Sequence, residues 1–254
     1  MTRLAILTDI HADLHALQDA LKQIDRMKCD LVVCCGDLVD WGLFPDETIR
    51  LLRKRRIPTI QGNHDAWATG RGDAGDPFRK VAGAAYDASG AGLSRASLRF
   101  LAEVPKEWRS TIEGVRVHVC HGTPRSYMEG IYPDRAEGHV LGRWLDILEA
   151  DILVCGHTHL AFELCVSGGR RVINPGALLR DPAEPMGEAT IIGEPGDPHP
   201  GLRLSMGTFG VLELPAKRFT VHRARAGAAG EIFRRALPPW AGGGGQLGSQ
   251  FRRR

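Results

Sequence analysis

The chain has 254 residues, a formal net charge of +3 and six cysteines. This length can hold one large α/β domain or two small ones, and so small a net charge argues neither for a nucleic-acid partner nor against one. No secretory signal precedes the first residues and no apolar run reaches membrane-spanning length, so we expect a cytoplasmic protein without a membrane partner. The cysteines form no C-x-x-C pair and are expected to be reduced and mostly buried.

The first part of the chain predicts alternating strands and helices. Short apolar runs at residues 4–7 and 31–35 are typical of buried strands. Apolar residues at intervals of three and four predict an amphipathic helix after each run, over residues 14–27 and 46–53. The sequence therefore predicts a β-α-β-α opening with parallel strands.

The rest of the chain adds further strands and helices. Helices are predicted over 94–102 and 135–150, and strands over 57–60, 115–119, 152–155, 207–214 and 218–224. The last two strands are expected to pair in antiparallel fashion and close the fold. Polar and apolar residues alternate over 115–119, so we expect His118 to lie on a partly solvated face of its sheet.

Five short polar clusters contain most of the residues that could carry chemistry, and four of them directly follow an apolar run. They are Asp9-Ile10-His11, Gly36-Asp37, Gly62-Asn63-His64-Asp65, His121-Gly122 and Gly156-His157-Thr158-His159. In open α/β sheets the ligand crevice lies beyond the carboxyl ends of the strands, so these clusters can converge on one point. Two carboxylates, one carboxamide and four imidazoles suit Mn, Fe, Zn or Ni. We therefore expect one dimetal site.

The ordered set of clusters resembles the calcineurin-like metallophosphoesterase superfamily, in particular its small bacterial single-domain members. The pattern is D-x-H, G-D-x-x-D, G-N-H-D, H-G-T and G-H-T-H, followed by N-P-G at residues 174–176, and it spans roughly residues 3–176. The resemblance implies an α/β fold in which a two-sheet β-sandwich is flanked by helices, the four-layer αββα metallophosphoesterase fold.

The boundaries of the domain follow from composition as well as from this resemblance. We assign residues 1–225 to a metallophosphoesterase domain, and residues 181–206, with repeated Pro and Gly, to a surface insertion within it. Residues 226–254 contain a run of four glycines and end in three arginines. We expect this last segment to be a disordered C-terminal tail.

Carried over position by position, the resemblance implies two divalent transition metal ions, with manganese favoured. The implied ligands of one ion are Asp9, His11, Asp37 and His159. Those of the other ion are Asp37, Asn63, His121 and His157. Asp37 would bridge the two ions. Such a pair can hold a hydroxide between the ions, bind the phosphate and stabilise the attacking and leaving oxygens in line.

The resemblance leaves His64 off the metals, as the general acid that protonates the leaving alkoxide. Asp65 is the expected orienting partner of His64, because a carboxylate fixes the tautomer and direction of an imidazole. Asp40 is expected to support the site without binding a metal itself.

The expected function is hydrolysis of a phosphomonoester or phosphodiester in a soluble substrate, which could be a nucleotide. The metal-bridging hydroxide would attack directly, without a covalent enzyme intermediate. The expected substrate contacts are Asn63, Arg125 and Tyr127, and Arg125 is favoured because it directly follows the H-G-T-P sequence at residues 121–124. Nucleic acid is not an expected partner, and the oligomeric state is left open.

Three alternatives accompany this hypothesis. The sequence G-D-L-V-D-W-G at residues 36–42 resembles the G-D-x-V-D-R-G of protein serine/threonine phosphatases. Trp41 occupies the position of the arginine that would clamp a phosphate there, and Asp65 replaces the glutamate of their G-N-H-E. Dinucleoside tetraphosphatases are a second alternative, for which the same arginine is missing. A non-catalytic metal-binding scaffold is the third, although such proteins have lost ligands or the acid histidine, which this chain keeps.

Overall fold

The computed structural model describes residues 1–70, 90, 92–180, 191–192, 202–224 and 233–237. Within these ranges, no helix is both long enough and apolar enough to cross a membrane. Most of the predicted insertion over 181–206 and most of the predicted tail over 226–254 lie outside the described residues. Their assignment as an insertion and a tail therefore stays a prediction.

Four of the helices confirm predicted ones, with ends that differ by up to three residues, and one helix, Asn63–Ala68, is not predicted from the sequence. They are α1 (Leu14–Arg26), α2 (Pro45–Lys54), α3 (Asn63–Ala68), α4 (Arg95–Glu103) and α5 (Gly138–Ile147). Helix α1 begins where the side chain of Asp13 accepts a hydrogen bond from the Ala16 amide at 2.8 Å, which satisfies one of the amides that a helix start leaves unpaired.

The strands form two main sheets and one small hairpin. They are β1 (Thr2–Leu7), β2 (Leu31–Cys34), β3 (Glu107–Ile112), β4 (Val115–Cys120), β5 (Ile152–Val154), β6 (Ala161–Val166), β7 (Arg170–Pro175), β8 (Ile191–Ile192), β9 (Leu202–Arg203), β10 (Thr208–Leu214), β11 (Arg218–Arg223) and β12 (Phe233–Ala236). The segment predicted as a strand over 57–60 contributes a single parallel bridge between Thr59 and Cys34.

The first sheet has the strand order β11-β10-β1-β2, and the second has the order β12-β6-β7-β5-β4-β3. Strands β1 and β2 are parallel, as the β-α-β-α opening predicts, and β10 and β11 form the predicted closing antiparallel pair. In the second sheet, β4, β5 and β7 are parallel neighbours. The predicted α/β class and the architecture of two sheets flanked by helices are confirmed.

The core is divided among the layers by the alternation of side chains along each strand. In β1, Leu4 and Ile6 pack in a cluster with the second sheet, whereas Ala5 and Leu7 pack in a cluster with α1. Strand β5 shows the same alternation. Leu153 packs with α5, whereas Ile152 and Val154 pack with the first sheet. Strands that are covered on both faces need continuous apolar runs, which is what the sequence has at these positions.

Two expectations from the sequence differ from the structure. Four residues of the predicted disordered tail, Phe233–Ala236, form β12, which pairs in parallel with β6 and so covers an edge of the second sheet. His118 is 1% exposed and not partly solvated. It lies in a groove that is also lined by residues 148–150 after α5, and its Nε2 is 3.2 Å from a carboxylate oxygen of Glu107.

Candidate metal centre

The predicted polar clusters meet at the carboxyl ends of β1, β2, β4 and β5, joined by the first turn of α3. Main-chain hydrogen bonds hold the loops together: the Asp9 amide donates to Gly36 at 3.0 Å and the Gly156 amide donates to His121 at 2.7 Å. Because neighbouring parallel strands end at the same edge of a sheet, the residues that follow them are brought to one place.

The backbone of these loops turns sharply. Five of the predicted ligands have φ angles between 46° and 66°, in the left-handed region: Asp9, His11, Asp37, His157 and His159. This conformation is uncommon for residues other than glycine, and it persists only where surrounding structure imposes it. Hydrogen bonds between the loops supply that constraint, and the turns direct the side chains toward a common point.

Glycines allow the loops to approach one another closely. A Cβ atom at Gly62 would lie 2.1 Å from an Asp37 carboxylate oxygen, and one at Gly156 would lie 2.0 Å from the Thr8 hydroxyl oxygen. Such distances are far shorter than van der Waals contact, so a larger residue at Gly62 would displace the backbone of Asp37, and one at Gly156 would displace the buried side chains of Thr8 and Asp9.

All seven predicted ligands lie together, in two groups that share Asp37. The first donor group is Asp9, His11, His159 and Asp37. In this group, His159 Nε2 lies 3.3 Å from Asp9 Oδ1 and 3.3 Å from His11 Nε2, and His11 Nε2 lies 3.8 Å from Asp37 Oδ2.

The second donor group is Asp37, Asn63, His121 and His157. His121 Nε2 lies 3.2 Å from Asp37 Oδ2 and 3.1 Å from Asn63 Oδ1. Nδ1 of His157 lies 3.0 Å from the same Asn63 oxygen. The side chain of Asp37 is thus within reach of both groups.

The hydrogen bonds of two imidazoles orient ring nitrogens that could bind a metal ion. Nδ1 of His11 is 3.0 Å from the Val39 carbonyl oxygen, and Nδ1 of His121 is 2.7 Å from the Cys35 carbonyl oxygen. A carbonyl only accepts, so in each neutral ring Nδ1 carries the proton and Nε2 presents a lone pair. These lone pairs converge with the carboxylate of Asp37, an arrangement of acceptors that a divalent metal ion satisfies.

The electrostatics of the centre agree with metal binding. Burial lowers the pKa of His11 to about 3 and that of His157 to about 4, so both rings are neutral and able to bind a metal near pH 7. Burial alone would raise the pKa of Asp37, but the imidazoles around it, His121 first, hold that pKa well below its usual range. Asp37 is therefore an anion although it is only 2% exposed.

The pKa of His121 reflects the same attraction between its imidazole and the buried carboxylates. Burial alone would lower the pKa of this imidazole, but the carboxylates of Asp37 and Asp9 raise it to about 10. The surroundings of His121 thus stabilise a positive charge strongly. A metal ion supplies that charge in place of a proton, since ligands must be deprotonated to bind it.

His64 receives its orientation from Asp40, whereas the sequence predicts Asp65 in that role. Nδ1 of His64 donates to Asp40 Oδ2 at 2.7 Å. The ring of His64 stands edge-on to His11 with 4.9 Å between the ring centres, so it borders the first donor group.

Asp65 instead fixes the loops that carry the ligands. Its carboxylate accepts hydrogen bonds at 2.9 Å from the backbone amides of Gly62, Asp37 and Leu38. Asp65 is the third residue of α3, a position from which a carboxylate commonly reaches back to the amide that precedes the helix. That position in the sequence is the signal that could have indicated its structural role.

Trp41 occupies the position of the arginine in the G-D-x-V-D-R-G pattern. In the structure its indole ring stacks on the His11 imidazole, with 4.0 Å between ring centres and 18° between the ring planes. No spacing rule in the sequence predicts this contact, because the backbone of the loop decides where the side chain points.

The predicted substrate contacts are engaged with protein groups. Arg125 donates to Glu129 at 2.6 Å and lies 5.7 Å from the ring centre of Trp144. The ring of Tyr127 lies 5.6 Å from the ammonium nitrogen of Lys106. Asn63 belongs to the second donor group. Whether Arg125 and Tyr127 contact a substrate stays a prediction.

Comparison with known proteins identifies the family. Residues 2–192 match the model of the calcineurin-like phosphoesterase superfamily domain. The uncharacterized protein MJ0912 of Methanocaldococcus jannaschii is 26% identical over 243 residues, 94% of this chain and 95% of that protein. Serine/threonine-protein phosphatase 2 of Escherichia coli is 33% identical over 72 residues, 28% of this chain and 33% of that protein.

A solved structure supports the same conclusion. The metallophosphoesterase from Sphaerobacter thermophilus superposes with a TM-score of 0.59 and 27% sequence identity, over 88% of each chain. The fold, the donor residues and the sequence match agree, and the family model covers well over half of the chain. The protein belongs to the calcineurin-like phosphoesterase superfamily.

Proposed function

We propose that this protein is a dimetal-dependent phosphoesterase that hydrolyses phosphomonoesters or phosphodiesters in a soluble substrate by direct attack of water. The single observation that supports this most is the convergence of two donor groups on Asp37. Two divalent ions held there, with manganese as the favoured pair, would activate the water and neutralise the charge of the phosphate. Family membership supports the bond type, and the substrate is part of the proposal.

The cysteines support direct attack by water over attack by a protein thiol. All six are free, and Cys34, Cys35, Cys120 and Cys155 are buried. Burial raises the pKa of Cys120 to about 12 and raises the pKa of Cys35 well above its usual range. Because the thiolate is the nucleophilic form, these buried thiols near the centre are poor candidates for a covalent intermediate.

His64 is proposed as the general acid. Burial alone would lower its pKa, but the carboxylates of Asp37 and Asp40 outweigh this effect and raise the pKa. The raised pKa keeps the ring protonated to higher pH, so it can deliver a proton to a leaving oxygen. Nδ1 donates to Asp40 at 2.7 Å, and Nε2 is therefore the ring nitrogen that we propose as the proton donor.

A protein serine/threonine phosphatase is the second candidate, because the Escherichia coli enzyme matches 72 residues of this chain. We rank it lower because Trp41 cannot replace the phosphate-clamping arginine implied by the G-D-x-V-D-R-G resemblance. An indole has no charge and a single donor, whereas a guanidinium binds phosphate through two parallel N–H groups.

The proposal is tested by measuring metal content and hydrolysis together. The protein is loaded with Mn²⁺ and assayed with bis(p-nitrophenyl) phosphate, with p-nitrophenyl phosphate and with a phosphoserine peptide. We expect metal-dependent hydrolysis of at least one of the first two, and selective hydrolysis of the peptide would favour the phosphatase. His139→Ala is the matched control, because the side chain of His139 is 52% exposed and pairs with Glu137 outside the centre.

A protein that binds two metal equivalents and yet hydrolyses none of these esters, with any of Mn²⁺, Fe²⁺, Zn²⁺ or Ni²⁺, would contradict the proposal. That result would favour the metal-binding scaffold.

A further inference from the structure

An exposed aromatic ring borders the buried metal centre. Trp41 is 63% exposed, although one face of its indole covers the His11 imidazole at 4.0 Å. The indole also stands edge-on to the rings of His64 and His159, at 5.1 and 5.6 Å between ring centres. The face of Trp41 that does not contact His11 is therefore left open to solvent beside the proposed acid.

The backbone holds this ring in a specific place. Asp40 and Trp41 have φ angles of 68° and 61°, a conformation that bulky residues rarely adopt. A Cβ atom at Gly42 would lie 2.3 Å from the His11 carbonyl oxygen, so this loop rests directly on the backbone that carries the ligand. The Gly42 amide closes the turn with a 2.7 Å hydrogen bond to the Asp40 carbonyl oxygen.

A tryptophan that served only to fill space would be buried, as the large apolar residues of the core are. Among the residues that the structure describes, the exposed large hydrophobic side chains include no other aromatic one. A strained backbone that holds an exposed aromatic ring against a site is the kind of outlier from which a function can be inferred.

The position of Trp41 indicates which part of a substrate it would meet. His64 is proposed to protonate the leaving oxygen, and the centres of the His64 and Trp41 rings are 5.1 Å apart. A group attached to the leaving oxygen would therefore extend past His64 along the open face of the indole. Planar rings stack on tryptophan, and nucleobases do so with little dependence on their sequence.

We propose that the open face of Trp41 is a stacking platform for the nucleobase of a nucleoside leaving group, so that the favoured substrates are phosphate esters of nucleosides. This inference rests on the proposed phosphoesterase function. It also agrees with a need for His64, because the alkoxide of a nucleoside is a poor leaving group that must be protonated.

Equilibrium binding tests the platform without requiring turnover. A nucleoside 5′-phosphonate and the matched ribose 5-phosphonate differ only in the base, and their P–C bond prevents hydrolysis. On the Mn²⁺-loaded protein we expect the nucleoside compound to bind roughly 10- to 100-fold more tightly. Trp41→Leu should remove most of that difference, whereas Trp41→Phe should keep part of it.

Leu43→Ala is the matched control, because Leu43 is an exposed apolar residue of the same loop, 83% accessible to solvent. It should keep the preference for the base. Equal affinities of the two phosphonates for the unmodified protein would overturn the proposal, and so would an equal loss for both compounds in Trp41→Leu, which would assign Trp41 to the support of His11.

Kinetics separates this proposal from the proposed function. For nucleoside and ribose esters with the same leaving oxygen, Trp41→Leu should raise KM for the nucleoside ester by roughly 10-fold or more and leave kcat within about twofold. If the protein hydrolyses both esters with the same KM, the stacking role of Trp41 is refuted and the proposed phosphoesterase function is not. If the protein hydrolyses neither ester and yet binds the nucleoside phosphonate selectively through Trp41, the proposed phosphoesterase function is refuted and the stacking role is not.

Discussion

The two donor groups that meet at Asp37 differ in their surroundings. In the first donor group, His11 is fully buried beneath Trp41, and its ring borders His64. In the second donor group, His157 is only partly buried, and the amide oxygen of Asn63 lies within 3.1 Å of a ring nitrogen of His121 and of one of His157. The protein therefore covers the first group with the Trp41 and His64 rings, whereas in the second group His121 and Asn63 are buried and His157 alone is partly exposed.

This difference suggests a division of labour. The groups proposed for proton transfer and substrate selection, His64 and Trp41, both contact the first donor group, whereas the second contributes only candidate ligands. Asp37 connects the two, because its carboxylate oxygen lies 3.8 Å from His11 Nε2 and 3.2 Å from His121 Nε2. Variants at the shared residue, in each group and beside the first group should separate these contributions.

The largest effect is expected for Asp37→Asn, which removes the shared charge. Both ions should be lost together, and the rate should fall by about 10³-fold or more, because metal ions stabilise the transition state by several kcal/mol. Elemental analysis after dialysis measures the metal, and circular dichroism checks the fold. Asp19→Asn, an exposed aspartate of α1, is the control. Two tightly bound equivalents in Asp37→Asn would contradict its bridging role.

Single ligand variants should separate the two groups. His121→Ala is expected to weaken the second ion and His11→Ala the first, with about one equivalent of metal retained in each, because a remaining group still has several ligands. Metal content is measured by titration of the metal-free protein. If either variant loses both ions, the two groups bind cooperatively and the division of the ligands between two separate ions is wrong.

His64→Ala should affect only the chemistry beside the first donor group. We expect two metal equivalents and an unchanged fold, together with a rate loss of roughly 10² to 10⁴-fold on esters of poor alkoxide leaving groups. Esters that release nitrophenolate should lose much less, because this weak base needs little protonation. Comparison of the two substrate types in one variant provides the internal control. A uniform loss, or a missing metal ion, would reassign His64 to phosphate or metal binding.

The smallest effect on rate is expected for the orienting carboxylate. Asp40→Asn should lower the rate by roughly 10-fold, because His64 loses the partner that fixes its orientation. Asp65→Asn should instead lower the free energy of unfolding by about 1–3 kcal/mol, because it would weaken the hydrogen bonds that the Asp65 carboxylate accepts from backbone amides. Rates on alkyl esters test the effect of Asp40→Asn, and thermal unfolding tests the effect of Asp65→Asn. The reverse pattern would restore Asp65 as the partner of His64.

Much of the fold was open to prediction because local patterns determined it. The apolar run of β1 and the three-and-four spacing in α1 each depend on residues that are close in sequence. The seven candidate ligands were also recognisable, because each follows a strand or begins a helix and their order along the chain is distinctive. Backbone geometry then brings them together without further information from side chains.

The sequence by itself determined which residues could form the centre, whereas only the tertiary structure decided how its neighbours are used. Asp65 is adjacent to His64 in sequence, yet its oxygens are occupied by backbone amides, and Asp40 reaches His64 from another loop. Trp41 covers His11 because left-handed turns direct its indole there. These contacts join residues from separate loops, and local propensity cannot specify them because the relative placement of the loops is set by the packing of the two sheets.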